Sequence, residues 1–137
     1  MSRVEEIQAA FEKADLANLV RTGAADYERA NESMVSDIID WAEHEWDGMM
    51  SLLRAIKNDS EDINTTIAIF YIECKSTWIA LNSKMNYQMF RGIEPEADLV
   101  IRGFAMSQLI AISESLIPQE DIDSITEFLT QPIKHAA

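Results

Sequence analysis

Apolar residues recur every three or four positions along almost the whole chain, the period of an α-helix with one face turned inward. Val4, Ile7, Ala10, Phe11 and Ala14 open the pattern. It continues from Leu16 to Val20 and predicts a first helix over 4–20, stopped by Thr22-Gly23. A second helix is expected from about Ala24 to Lys57, ending at Asn58-Asp59. Gly48 inside it costs roughly 1 kcal/mol against alanine and marks a bend or a close contact.

Ser60 reads as the N-cap of a third helix over 61–91, with Glu61 and Asp62 where the helix dipole favours acids. This helix is apolar on two sides. Ile63, Ile67, Phe70, Cys74, Trp78, Leu81 and Met85 form one stripe; Ile69, Ile72, Ile79, Tyr87 and Phe90 form another. Such a helix belongs in the middle of a bundle or under a partner, and Trp78, Met85 and Met89 read as core. Gly92 ends it. Pro95 suits the first position of a fourth helix reaching about Leu116, in which Asp98 and Arg102 form an i,i+4 pair and Gly103, Ala105 and Ala111 allow close packing. Pro118 opens a short last helix with Ile122, Ile125, Phe128 and Leu129 inside. Pro132 closes it, leaving 131–137 as a frayed tail. No strand-like alternation bounded by turns is present. The expected fold is all-α, one domain over 1–137, a bundle of four to five helices.

A chain of 137 residues that is 47% hydrophobic supports one core, and its few glycines and prolines leave little for loops or linkers. The amphipathic, acid-bearing start lacks the apolar run of a signal peptide. The most apolar windows, 63–81 and 99–112, are interrupted by charges, and the second is too short to span a bilayer of about 30 Å. Cys74 stands alone, which excludes an intramolecular disulfide and any CxxC-type site, so the cytoplasm is the expected location.

Charge changes the picture most. The net charge is −13. Nucleic acid and anionic membranes are bound through Lys and Arg, and no basic stripe is present, so direct binding to either is not expected. An acidic surface attracts a basic partner instead. From 30 to 53 there are six acids and no Lys or Arg, and from Glu94 to Gln131 only Arg102 faces eight acids.

The densest stretch is DIIDWAEHEWD, residues 37–47. On a helix, Asp37, Asp40, Glu43, His44 and Asp47 fall opposite an apolar arc that includes Ile38, Ile39, Ala42, Trp46, Met49 and Leu53. Amphipathicity thus accounts for most of it. Two residues stand apart. Glu45 falls within the apolar arc, where a carboxylate reaches out past the helix edge, pairs with a Lys or Arg of another helix, or suffers desolvation as a partner-facing or functional group, and Trp41 lies at its border. Asp40 and His44 share a face as metal ligands would. However, a di-iron carboxylate bundle needs acids from four helices and two Glu-x-x-His motifs, and this sequence has none. The second histidine, His135, lies in the tail. Cys74, on the most apolar stripe, reads as a small core residue, and no phosphate loop, nucleophile elbow or HExxH motif occurs.

These observations point to a non-enzymatic protein-binding module with neither metal nor cofactor, of the inhibitor, immunity or adaptor type that a phage encodes. Its partner is expected to be a protein with a basic surface, such as a nucleic-acid-handling enzyme or complex. The contact residues would be Asp37, Asp40, Trp41, Glu43, His44 and Asp47, with Trp41 as aromatic anchor. Glu120, Asp121, Asp123 and Glu127 form a second patch. Two other readings are a homodimer whose core is the apolar third and fourth helices and an enzyme using a carboxylate-held Mg²⁺ or Mn²⁺.

Overall fold

A computed structural model describes residues 2–56 and 60–130. Among these residues six helices follow one another: α1 (Arg3–Ala14), α2 (Leu16–Ala24), α3 (Glu32–Ala55), α4 (Ser60–Phe90), α5 (Ala97–Glu114) and α6 (Gln119–Thr130). The protein is an all-α bundle. The expected tail, Pro132, the Asn58-Asp59 stop and the side chains of Ser60 and Leu129 lie outside the described residues.

The sixth helix arises because the predicted 4–20 helix is two. Asp15 adopts a left-handed conformation, φ 54°, which Asp tolerates better than most residues. Its side chain then accepts the amide of Asn18 at 3.4 Å and starts α2. That helix runs on through Gly23 to Ala24. Gly23 is therefore no stop. A Cβ there would stand 2.3 Å from the Phe104 ring, so its missing side chain is what lets α5 approach α2.

The second predicted helix begins at Glu32 rather than near Ala24. Asn31 caps it by accepting the amide of Met34 at 2.8 Å. The preceding loop is held by Arg29, which donates to the Pro95 carbonyl and pairs with Glu94 at 3.1 Å. Gly48 is exposed with open space around it, so no close contact explains it. Gly92, at φ 73°, ends α4 as expected, with the Gly92 amide donating to Met89 O and that of Ile93 to Gln88 O. Pro95 lies one residue before the N-cap of α5, Glu96, and not inside the helix.

The centre of the bundle is α5, not α4. Leu99, Ile101, Gly103, Ala105, Met106, Leu109 and Ile112 bury nearly its whole circumference, whereas Ala111 is exposed. Helices α2, α3 and α4 all pack on it, with Phe104 seated over Gly23 of α2. Ser113 is fully buried and donates to Leu109 O at 2.8 Å, so no polar cost is left in this core. Trp46 joins the other helices. It is 0% exposed, stacks on Phe11 with centroids 4.4 Å apart, meets Phe70 edge-on, and donates from Nε1 to Gln8 Oε1 at 3.1 Å.

The two faces of α4 part company. Ile63, Ile67, Phe70, Tyr71 and Cys74 are buried as their stripe predicts. Beyond Cys74 the same stripe rises towards solvent: Trp78 is 39% exposed, Leu81 and Met85 are half-buried and Met89 is exposed. The opposite stripe, Ile69, Ile79, Tyr87 and Phe90, is exposed along its length, with Ile72 half-buried. No helix among the described residues is long and apolar enough to cross a membrane.

Candidate protein-binding face

Helix α3 buries Val35, Ile38, Ile39, Ala42, Trp46, Met49, Met50 and Leu53, and this fixes what its other side presents. Asp37, Asp40, His44 and Asp47 follow one another at steps of three, four and three, so they form one outer stripe, and all four are exposed. Glu43 is half-buried beside them. The apolar arc is narrower than the sequence suggests. Leu52 is exposed, and Glu45, placed within the arc by its spacing, is exposed as well and reaches out past the helix edge.

What sets the stripe apart is the density of its acids, and three acids elsewhere in the protein have a cation opposite them. Glu32 pairs with Arg21 at 3.3 Å, Glu94 with Arg29, and Asp98 with Arg102 at 2.8 Å. Among the described residues no ion pair reaches Asp37, Asp40, Glu43 or Asp47. Four carboxylates within three turns therefore project an unneutralised field from one helix face.

Trp41 has a use within the fold. It is half-buried, and the Arg102 guanidinium sits 4.8 Å from its ring centre while its Nε donates to Asp98. The sequence shows the Asp98–Arg102 pair but not that it reaches across to α3. As an anchor, Trp41 would offer only the edge that Arg102 leaves uncovered.

The second acidic patch sits elsewhere. Glu120, Asp121, Asp123 and Glu127 are all exposed on α6, with Asp123 accepting from Gln119 at 3.0 Å. Helix α6 flanks α4 across an open groove of about 490 Å³ whose walls include Ala68, Ile69, Ile72, Asp121 and Ile125. Ile69 also lines a smaller cleft of about 150 Å³ shared with Met49 and Leu52 of α3. At that level α4 thus stands between α3 and α6. Phe128, expected inside, is 70% exposed: Ile122 is buried and Ile125 half-buried, and six residues on from Ile122 the helix has turned Phe128 about 120° away from it.

Chemistry at these surfaces is narrow. Among the described residues no three His, Cys, Asp or Glu side chains lie close enough together to hold a metal ion. The Cys74 thiol is buried, and burial, reinforced by Glu45 and Glu73, pushes its pKa up to about 12. It is a packing residue at neutral pH, as its place on the apolar stripe implies. No family model, curated protein or solved structure matches the chain.

Proposed function

We propose that the protein acts by binding another protein through the α3 stripe, and that the partner presents a basic surface. One observation carries this reading: Asp37, Asp40 and Asp47 are exposed in line, with half-buried Glu43 alongside, and no ion pair reaches any of them among the described residues. A basic surface supplies the missing countercharge. Long-range attraction of this kind speeds encounter and sets which partner is accepted more than it sets affinity. Proteins that handle nucleic acid carry such surfaces, so an inhibitor or adaptor covering one of them is the concrete form of the proposal.

The test is capture of partners from the native host's lysate with washes at about 50 mM and about 500 mM salt, since surface attraction is strong in the first and screened in the second. A basic protein or nucleoprotein complex should be retained stoichiometrically at low salt and released at high salt. The Asp40→Lys/Glu43→Lys variant should lose it at both. Retention indifferent to salt and to charge reversal would sink the proposal.

A further inference from the structure

The outer face of α4 has the opposite character. Every acid of this helix, Glu61, Asp62 and Glu73, precedes Cys74, whereas residues 74–93 hold Lys75, Lys84 and Arg91 and no acid at all. In a chain of net charge −13, this half-helix is a local basic, apolar arm. A basic partner for the α3 stripe would be repelled here. What fits is a surface both acidic and apolar, and the first half of the same helix is one.

The spacing of the outer face is that of a coiled-coil seam. From Thr65 to Phe90 its positions run at alternating steps of four and three, an average of about 3.5 residues, which keeps a seam pointed at one partner helix. The order of steps reads identically in both directions, so an antiparallel copy lays the seam onto itself. Counting outward from the middle, Ser76 then meets Ile79 of the second copy, Ile72 meets Ser83, Ile69 meets Asn86 and Thr65 meets Phe90. Each bulky residue is set against a smaller one. A parallel copy in register would instead place Ile on Ile, Ser on Ser and Phe on Phe, with like charges level.

One opposite-charge pair fits the same arrangement. On one flank of the antiparallel seam Glu73 faces Ala80 of the second copy, and that copy's Lys84 stands one turn further along the same side. All three positions are exposed. The groove between α4 and α6 receives the far end of the arm: Met89 of the second copy comes level with Ala68, and Phe90 follows. These are among the most exposed large apolar side chains of the protein, at 55% and 87%.

We therefore infer that the protein forms a two-fold homodimer in which the exposed faces of two α4 helices pair antiparallel about Thr77-Trp78, each basic arm lying on the acidic, groove-lined half of the other. This interface shares no residue with the α3 stripe and stands whether or not the α3 reading does.

The full-length protein should sediment at twice its chain mass of 15.5 kDa. Ile79→Lys should return it to a monomer with its helical circular dichroism intact, while Asp40→Lys/Glu43→Lys leaves the dimer in place. Orientation is read by cysteines under mild oxidation. Ser76→Cys, beside the two-fold axis, should form an interchain disulfide; Phe90→Cys, about 37 Å from its equivalent at 1.5 Å per residue, should not. The native thiol is buried and does not compete. A mass of 15.5 kDa across the micromolar range overturns the inference. So does cross-linking of Phe90→Cys as readily as Ser76→Cys, or of neither. These cysteine variants decide the matter even if Ile79→Lys fails to fold.

Discussion

Phe70 and Phe90 are the same residue on the same helix, five and a half turns apart, yet one is 6% exposed and the other 87%. Phe70 lies edge-on to Trp46 with centroids 5.7 Å apart, inside the core shared by α1, α3 and α4. Phe90 ends the outer stripe of α4, which is left exposed among the described residues. Hydropathy alone does not separate them. What separates them is whether another helix of the same chain arrives.

The contrast is broken most forcefully by truncation on each side. Phe70→Ala should cost about 3–5 kcal/mol of unfolding free energy, the usual range for a buried aromatic. Phe90→Ala, measured in protein dilute enough to be monomeric, should stay within about 0.5 kcal/mol of the parent, because a surface side chain has little to lose. Equal losses would mean that the outer stripe is covered by the chain's own helices. Chemical denaturation of both variants checks this.

Cys74 sharpens the same comparison through pH. Its folded pKa of about 12 lies above the ordinary 9.0, so the folded state holds the proton more tightly than the unfolded chain does. Below pH 9 both states are protonated and nothing changes. Above it the unfolded chain ionises first, and stability should fall by up to about 1.4 kcal/mol per pH unit until the folded thiol titrates in turn. Melting curves from about pH 8 to about pH 11 should show this slope in the parent and a shallower one in Cys74→Ala. Identical slopes would place the thiol in contact with water.

A smaller effect tests how α5 came to be the centre. Gly23→Ala drives a methyl into the Phe104 ring, and overpacking of that kind typically costs about 1–3 kcal/mol. A neutral outcome in thermal unfolding would show that the ring moves aside and that the α2–α5 approach does not depend on it. Smaller still, charge reversal at Asp40 should change stability by no more than about 0.5 kcal/mol, since the carboxylate is exposed and makes no ion pair among the described residues. Its effect belongs to binding.

Much of this was legible in the residues. The helical period located α4, α5 and the end of α3 within a few residues, while the start of α3 was set eight residues too early. The stripe at 37–47 was legible too, since Asp37, Asp40, His44 and Asp47 fall opposite a long apolar arc. What was not legible has physical reasons. Asp15 breaks a helix without interrupting its hydrophobic pattern, because the left-handed turn it adopts costs Asp little. Pro95 and Glu96 both suit a helix start, and only the backbone decides between them. The order of helices around the core is invisible in any one helix, so α4, apolar on two sides, looked more central than α5. Trp41 looked free because its cover, Arg102, comes from a helix sixty residues away. Glu45 falls inside the arc by its angle alone, and its exposure follows from the arc being narrow there, since Leu52 is exposed too.

The two exposed faces are assigned separate tasks: α3 meets a basic partner through charge, and α4 meets its own kind through shape. Native mass spectrometry of the captured complex tests this division most directly, using the parent, Asp40→Lys/Glu43→Lys and Ile79→Lys. Charge reversal on α3 should leave a dimer without partner, and Ile79→Lys should leave single chains that still carry it. If one of these variants loses both associations, the faces are not separate and the account fails.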